Sequence, residues 1–438
     1  MIVKDAYLLC KNKISNVKLG EFEPSSREYW ALNLYPVKQD TNWLGFGGSF
    51  TESAGYNYSL MSEENKKKAL EALFGESGLK YSFCRLCIGS SDFAIDEFCY
   101  VSENDYSLES FSIERDKKYV IPFLKDAIAY AKHELVLFAS PWSPPAFMKD
   151  TNCRFAGGKL KKEYYDLYAQ YLVKFLKAYL AEGIKISFIT LQNEAKAKTT
   201  WESCQYTAEE EAELAKILHK HLQENNLNVK IMCWDHNKER LFERACNSYE
   251  SAGECLDGAA FHWYSGDHYE AISLLKKQYP NKKVILSEFC RSLRSIDKTA
   301  TAYTKEMLYT IKHGVQGICE WNLILNKEGG PYHNRIKHGG CDAPIRFDAK
   351  ANKIKFSEIY NEAWMFAHFV KPGANALYTS TFDEGVQICA MQNLDGSIVV
   401  NLFNSTKVNY KSLHLRYNDN ALEFALPSRA VLTIVLAE

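Results

Sequence analysis

The sequence predicts a (β/α)8 TIM barrel with an attached β-sandwich domain. Between about residues 43 and 322, eight short apolar runs alternate with longer helical patterns, which is typical of a parallel sheet. The runs are almost continuously hydrophobic, which indicates strands buried on both faces, as in a closed barrel. After the breaker Lys-Pro-Gly at residues 371–373, short strand patterns replace the helices.

The barrel elements follow one another in regular order. Helices are predicted between the strands, most clearly over residues 207–226, where Thr207 and Glu210 have capping-box spacing. An aromatic stripe at helical spacing in residues 164–179 predicts a helix that packs against the barrel. The predicted strands cover residues 43–50, 80–88, 134–139, 185–191, 229–234, 258–263, 283–286 and 316–321.

The β-sandwich is predicted from both ends of the chain. Asp395 and Gly396 form a hairpin signal between strand patterns at residues 387–391 and 397–402, and a further strand covers residues 430–436. Strand-like segments near residues 6–10 and 30–34 are expected to pair with this sheet. We therefore expect N-terminal strands in residues 1–35, a catalytic barrel in residues 36–370 and a β-sandwich in residues 371–438.

Composition excludes several classes of protein. The 53 Lys and Arg residues balance 54 Asp and Glu residues, so no strong field attracts nucleic acid or acidic membranes, and we expect neither as a partner. The absence of long apolar stretches argues against a transmembrane helix. Thirteen cysteines without framework spacing and a short N-terminal apolar run predict a cytoplasmic protein. The sequence leaves the oligomeric state open.

Two carboxylates carry the chemical prediction. Glu194 follows the fourth predicted strand and Glu288 the seventh, on opposite sides of the barrel mouth. Retaining glycosidases need such a pair about 5–5.5 Å apart. A single strand-end glutamate is more often a structural ion-pair partner, but two in register, with Asn193 beside Glu194, favour catalysis. Asp235 and Glu320 compete with them, and we expect Glu320 to support Arg85 or another buried cation.

Short motifs follow one another along the chain in a fixed order. They are GFGGSFTES (45–53), SDF (91–93), ASPWSPP (139–145), QNE (192–194), HWY (262–264), SE (287–288), EWNL (320–323) and EGGP (328–331). This ordered set resembles glycoside hydrolase family 30, the glucosylceramidase-like family. The resemblance runs over nearly the whole chain and implies a retaining (β/α)8 barrel with a β-sandwich. The family usually has proline after the acid/base glutamate, whereas this chain has Ala195, which affects the predicted leaving-group side.

The resemblance implies a role for each matching residue. Glu194 corresponds to the acid/base, Glu288 to the nucleophile and Asn193 to the group on the sugar 2-hydroxyl. The other matches surround these three: Asp92 and Trp142 for the far hydroxyls, Trp321 as the aromatic floor, Arg85 and Tyr264 beside the nucleophile, and His262 in the same wall. Two further interpretations stay open: Arg85 as a core ion pair and His262 as a partner of a buried backbone group.

Taken together, the sequence predicts a retaining, exo-acting β-glycosidase that hydrolyses small β-glucosides or oligosaccharides through a covalent glycosyl-enzyme. Trp201, on the loop after Glu194, is a candidate aglycone platform. The alternatives are β-xylosidase, β-1,6-glucanase or β-fucosidase activity and, from another class, an inactive carbohydrate-binding barrel. We expect no cofactor and no metal, because Cys84 and Cys87 lie on opposite faces of a strand.

Overall fold

Four strands near the N-terminus belong to the sandwich rather than to the barrel. The structure is a computed structural model that describes residues 1–294, 301–333 and 340–437. In it, β1 pairs with the last strand of the chain, as the sequence predicts. The four strands are β1 (Ile2–Cys10), β2 (Lys13–Asn16), β3 (Glu23–Pro24) and β4 (Ala31–Lys38).

The next eight strands form the closed parallel barrel. Each predicted strand is found, with ends that move by up to a few residues, and β12 pairs with β5 to close the ring. The strands are β5 (Phe46–Phe50), β6 (Phe83–Ile88), β7 (Val136–Pro141), β8 (Phe188–Thr190), β9 (Lys230–Asn237), β10 (Gly258–His262), β11 (Lys283–Glu288) and β12 (Ile318–Asn322).

Helices surround the barrel. The predicted capping box at the start of α5 is present, since Thr207 and Glu210 bond each other's backbone N–H groups. The aromatic stripe lies on α4, where Tyr168, Phe175 and Tyr179 are buried against the barrel. The helices are α1 (Glu52–Ser59), α2 (Glu63–Phe74), α3 (Val120–Tyr130), α4 (Tyr165–Ala181), α5 (Ala208–Glu224), α6 (Leu241–Ala252), α7 (Glu270–Gln278), α8 (Ala302–Lys312) and α9 (Glu358–Ala367). Among the described residues, no helix is long and apolar enough to cross a membrane.

The remaining strands complete a small sheet and the sandwich. Strands β13 (Ile324–Asn326), β14 (Ile345–Asp348) and β15 (Lys353–Phe356) form the small sheet. The sandwich is one ten-stranded sheet in the order β2-β1-β21-β18-β17-β16-β4-β19-β20-β3, which folds over so that leucines from β4 and β21 share one core. Its C-terminal strands are β16 (Asn375–Thr381), β17 (Val386–Gln392), β18 (Ile398–Asn404), β19 (Tyr410–Tyr417), β20 (Asn420–Leu426) and β21 (Ala430–Ala437). The predicted fold class is confirmed.

The barrel interior is built in layers. An apolar layer fills it with Phe83, Phe138, Phe188, Met232, Ala260, Ile285 and Cys319. Side chains alternate in direction along a strand, so the residues two positions further on point into the same interior. With one exception these form the layer above, towards the mouth: Arg85, Ser140, Thr190, His262, Ser287 and Trp321. The polar layer near the barrel mouth, which contains several of the predicted site residues, therefore packs on an apolar layer.

The exception is β9, where a bulge brings Asp235 into the upper layer. Ala260 pairs with Trp234, whereas the next residue, Phe261, pairs with His236, so Asp235 is one residue too many on β9. Trp234 and Asp235 have left-handed φ values of 72° and 45°. Because a bulge re-aims the side chain of the extra residue, the Asp235 carboxylate enters the interior, where it is fully buried.

The close approach of β5 to β6 requires glycine at residue 47. A Cβ at Gly47 would lie 1.7 Å from the carbonyl oxygen of Phe83, and a backbone atom cannot rotate away. We expect Gly47→Ala to destabilise the protein by about 1–3 kcal/mol, measured as a lower midpoint of thermal unfolding. Gly20→Ala is the matched control, because nothing lies within 4 Å of its added Cβ. Equal midpoints for the two variants would contradict the packing argument.

Candidate active site

A cavity of about 730 Å³ opens at the C-terminal ends of the barrel strands. Every predicted site residue except Arg85 and His262 lines it, and those two lie in the buried layer directly beneath. Glu288 is the last residue of β11, and Asn193 and Glu194 follow β8. The structure therefore brings the predicted residues together at one end of the barrel, where the active sites of such barrels are found.

Arg85 lies at the centre of the buried layer. Its Nη1 donates to Oε2 of Glu288 at 2.5 Å, and its Nη2 donates to Oδ2 of Asp235 and Oδ1 of Asn193, each at 2.8 Å. Its Nε donates to the Ser140 hydroxyl at 3.1 Å. Arg85 is fully buried. Arg85 thus forms a core ion pair with Asp235 and also bonds Glu288, as the sequence leads us to expect of both interpretations of this residue.

Asp235 balances the charge of Arg85. Besides the guanidinium, it accepts hydrogen bonds from the hydroxyls of Thr190 at 2.7 Å and Ser287 at 2.5 Å. Burial by itself raises the pKa of Asp235, but the charge of Arg85 and the bonds from His262 and Ser287 outweigh burial and hold this pKa well below its usual range. Asp235 is therefore ionised at neutral pH.

The two cavity glutamates have different surroundings. Glu288 accepts from Arg85 through Oε2 and from the Tyr264 hydroxyl through Oε1 at 3.0 Å. Glu194 instead faces two imidazoles, with its Oε1 at 3.2 Å from Nδ1 of His262 and 3.6 Å from Nδ1 of His236. Glu194 has a left-handed φ of 52°, and its backbone N–H donates to the Asp235 carbonyl at 2.8 Å.

His262 fixes an upper limit on the distance between the two glutamates. Its Nδ1 lies 3.2 Å from Oε1 of Glu194 and 3.9 Å from Oε1 of Glu288. These two oxygens are therefore at most about 7 Å apart, a limit that is compatible with the spacing of about 5–5.5 Å in retaining glycosidases. Both carboxylates can thus approach one bound atom.

Charge around His262 keeps its ring protonated. Burial lowers its pKa, but Glu288, Asp235 and Glu194 oppose burial and raise the pKa to about 9. The Nε2 atom lies 3.1 Å from Oδ1 of Asp235, so both ring nitrogens face carboxylates. The expectation that His262 serves a buried backbone group is wrong, because these carboxylates are its partners.

The deep end of the cavity is aromatic and acidic. The rings of Trp142 and Trp321 stack with centroids 5.1 Å apart and planes at 18°, and both rings are buried. The Arg85 guanidinium lies 4.7 Å from the Trp142 centroid, which supports the ring from below. Asp92 is only 8% exposed, and burial together with the charges of Glu288 and Glu194 raises its pKa well above the usual value. This end offers a ring face and a carboxyl group to a ligand.

The shallow end of the cavity contains Tyr264 and Trp201. Tyr264 is 45% exposed, and Trp201 is half-buried on the loop between β8 and α5. The neighbour of Trp201, Glu202, is buried and bonds Nε2 of His333 at 3.1 Å and the Ser90 hydroxyl. These bonds attach the loop to two other parts of the barrel rim.

The structure corrects the expectation for Glu320. Its carboxylate accepts from the hydroxyl of Tyr81 on the outer side of β12, while Arg85 bonds Asp235 and Glu288 instead. Burial raises the pKa of Glu320 well above the usual value. Sequence reasoning also missed His236, Ser140, Thr190 and Ser287. The last three follow apolar strand positions by two residues, so strand alternation could have found them.

One group of residues could hold a metal ion. Donor atoms of Glu194, His236 and His262 lie within 4.8 Å of one another. Imidazole and carboxylate are common zinc ligands, but His262 already uses its second ring nitrogen on Asp235. The absence of a metal stays a prediction from the sequence.

Comparison with known proteins agrees with this architecture. The family model described as "Glycosyl hydrolase family 30 TIM-barrel domain" matches residues 44–370, and the model of the family's β-sandwich domain matches residues 373–434.

Relatives match over nearly the full chain. Putative glucosylceramidase 3 of Caenorhabditis elegans is 30% identical over 90% of this chain and 80% of its own length. The crystal structure of SrfJ from Salmonella typhimurium has a TM-score of 0.93 at 31% identity, covering 99% of this chain and 100% of SrfJ. The endo-β1,6-glucanase BT3312 has a TM-score of 0.88 at 26% identity, covering 99% of both chains.

The raised pKa of His262 predicts a pH-dependent stability. Its folded pKa of about 9 exceeds the unfolded value of 6.5, so its stabilisation is complete below about pH 6.5 and is lost as pH rises towards 9. Over this window we expect a loss on the order of 3 kcal/mol, seen as a falling midpoint of thermal unfolding. His262→Gln should flatten the decline, whereas His268→Gln, at an exposed site, should follow the wild type. A decline of the same size in both variants would refute the assignment.

Proposed function

The chain belongs to glycosyl hydrolase family 30 and is a glycoside hydrolase acting on O-glycosyl bonds; on this premise we propose that it is an exo-acting β-glycosidase that hydrolyses β-glucosides by double displacement. The observation that carries the proposal is the pair Glu194 and Glu288, with facing oxygens at most about 7 Å apart at one cavity. Relatives named as glucosylceramidases support a β-glucoside as the substrate.

The two steps use the glutamates in different roles. In the first, the Glu288 carboxylate attacks the anomeric carbon while Glu194 donates a proton to the glycosidic oxygen, so the glycosidic bond breaks and an ester to Glu288 forms. In the second, Glu194 takes a proton from water, whose oxygen attacks the same carbon and releases Glu288. Arg85 and Tyr264 hold Glu288 by hydrogen bonds to both of its oxygens.

The proton for the first step lies on the His262 imidazole, beside Glu194. Burial raises the pKa of Glu194, but the two imidazoles outweigh burial and lower it, so the carboxylate is ionised before a substrate binds. His262 carries the proton, with its Nδ1 at 3.2 Å from Oε1 of Glu194. We propose that this proton moves to Glu194 when the glycosidic oxygen arrives.

The cavity's depth supports an exo-acting enzyme. A terminal sugar fits the buried end, where Trp321 offers a face for the ring's C–H groups and Asp92 can bond two neighbouring hydroxyls. Asn193 accepts from Arg85 through Oδ1, which leaves its NH2 group to donate to the 2-hydroxyl. The exposed side, near Tyr264 and Trp201, is open to the leaving group.

A second candidate is hydrolysis of β-1,6-linked glucan. The supporting observation is the similarity to the endo-β1,6-glucanase BT3312 over 99% of both chains. Products separate the two activities: an exo-acting enzyme releases glucose from the chain end, whereas an endo-acting enzyme first releases a range of oligosaccharides.

We also propose a reducing cytoplasmic location, because all thirteen cysteines are free thiols.

A panel of aryl β-glycosides tests the proposed function. We expect the β-glucoside to be hydrolysed faster than the β-xyloside and the β-fucoside. A 2-fluoro-glucoside should label Glu288 covalently, because the second step becomes slow. A protein that hydrolyses none of the panel and forms no adduct would reject the exo-acting β-glycosidase.

Glu288→Gln is expected to lower kcat by at least about 10³-fold, because an amide does not form the glycosyl-enzyme. Binding of the sugar, followed by intrinsic tryptophan fluorescence from Trp142 and Trp321, should largely survive. Glu320→Gln is the matched control, since that carboxyl group bonds Tyr81 outside the cavity. Retained turnover in Glu288→Gln would reject the nucleophile.

Glu194→Gln is expected to separate substrates by their leaving groups. For an alkyl glucoside, which needs a proton on departure, kcat/KM should fall by about 10²–10⁴-fold. For a dinitrophenyl glucoside, whose leaving group is stable as an anion, kcat/KM should fall less than about tenfold. Equal losses on both substrates would contradict the acid role.

A further inference from the structure

Two cysteines face each other in the cavity wall without any role in the proposed reaction. Cys290 lies two residues after Glu288, and Cys341 lies in a segment that follows β13 by some fifteen positions in the chain. Of the described cysteines, these are the two that line the cavity. By contrast, Cys84 and Cys319 are buried away from the cavity lining.

Backbone pairing brings the two segments together. Ser292 and Cys341 form an antiparallel bridge, flanked by hydrogen bonds from the Asp342 N–H to the Arg291 carbonyl at 2.8 Å and from the Leu293 N–H to the Gly340 carbonyl at 3.2 Å. Cys290 and Cys341 therefore lie on the same face of this short ladder, as diagonal neighbours. Arg291 and Asp342 form a buried ion pair, with Nη2 2.9 Å from Oδ2, that holds the ladder in place.

The two thiols are neighbours in the cavity wall. Both side chains line the cavity and pack in the apolar cluster that contains Trp321 and Trp142. Cys341 and burial raise the pKa of Cys290 well above the usual value. A pair of neighbouring thiols at the wall of an open cavity has the arrangement that thiol–disulfide exchange needs.

We propose that Cys290 and Cys341 form a disulfide bond when a small disulfide, such as glutathione disulfide, enters the cavity, and that this bond closes the site to sugar. Cys341, the less buried thiol, attacks one sulfur of the small disulfide as a thiolate, and glutathione thiolate leaves. Cys290 then attacks the Cys341 sulfur and displaces the second glutathione. Two protein thiols are oxidised, one disulfide is reduced to two thiols, and the two protons pass to the released thiolates.

The bond affects the site through its position. An S–S bond holds the sulfurs about 2.0 Å apart, so it draws residues 340–342 towards the end of β11. Cys290 is attached through Phe289 to Glu288, and Cys341 packs in the cluster of Trp321. We expect Glu288 and the aromatic floor to shift together. The loss of activity rests on the proposed function, whereas the bond itself does not.

The test uses the full chain, reduced and then incubated with glutathione disulfide. Intact mass should fall by about 2 Da for this bond, and a non-reduced peptide map should join the peptides that contain Cys290 and Cys341. Hydrolysis of the aryl β-glucoside should fall at least tenfold and return with dithiothreitol. A peptide map without this link, or with glutathione remaining on either thiol, would overturn the proposal. This result does not depend on whether the protein hydrolyses a glycoside.

Variants connect the bond to the activity. Cys341→Ser should resist oxidative loss, while Cys153→Ser, a cysteine outside the cavity lining, should lose activity like the wild type. For each variant, the rate of hydrolysis after oxidation is divided by the rate of its own reduced sample, so a change in the basal rate does not affect the comparison. Equal oxidative loss in Cys341→Ser and wild type would reject the regulatory effect. If Cys341→Ser fails to fold, the wild-type map decides.

Discussion

The site depends on the burial of a single guanidinium. Arg85 has no access to solvent and cannot lose its proton, and leaving such a charge unpaired costs about 3–5 kcal/mol. The fold compensates it with two carboxylates, Asp235 beneath and Glu288 above, 2.8 and 2.5 Å away. Because Nη2 of the same guanidinium also donates to Asn193, one buried cation fixes the position of the proposed nucleophile relative to the proposed 2-hydroxyl partner. The contacts that compensate the buried charge of Arg85 are therefore the same contacts that position the proposed catalytic groups.

Strand periodicity explains how much of this could be predicted. Apolar runs bounded by helical patterns are sufficient to predict all eight barrel strands. A residue that directly follows such a strand lies near the mouth of the barrel, and this placed Glu194 and Glu288 there. The sandwich strands β3, β19 and β20 gave weaker signals, because their faces mix polar and apolar residues. Burial on both faces leaves a clear sequence pattern, whereas burial on one face does not.

Irregular backbone accounts for what the sequence did not reveal. Asp235 reaches the interior only through a bulge, and period-two alternation gives no sign of an extra residue. Glu320 looked equivalent to it, yet an ordinary strand position turns it outward to Tyr81. The proximity of Cys290 to Cys341 depends on an isolated bridge between distant segments, which no local pattern encodes. These features determine protonation and thiol chemistry, so the finer chemistry of the site was the part least accessible from sequence.

The departure at Ala195 fits the local backbone. A proline pushes the residue before it towards extended backbone, whereas Glu194 has a φ of 52°, in the left-handed region. Ala195 is fully buried, and its carbonyl accepts from the Tyr206 N–H at 2.8 Å. Alanine thus permits a turn that presents Glu194 to His236 and His262 at the same time, which a following proline would oppose. The absence of proline therefore permits the backbone turn that places Glu194, the proposed acid, beside the two histidines. In this arrangement the proton is held on an imidazole next to the carboxylate that uses it.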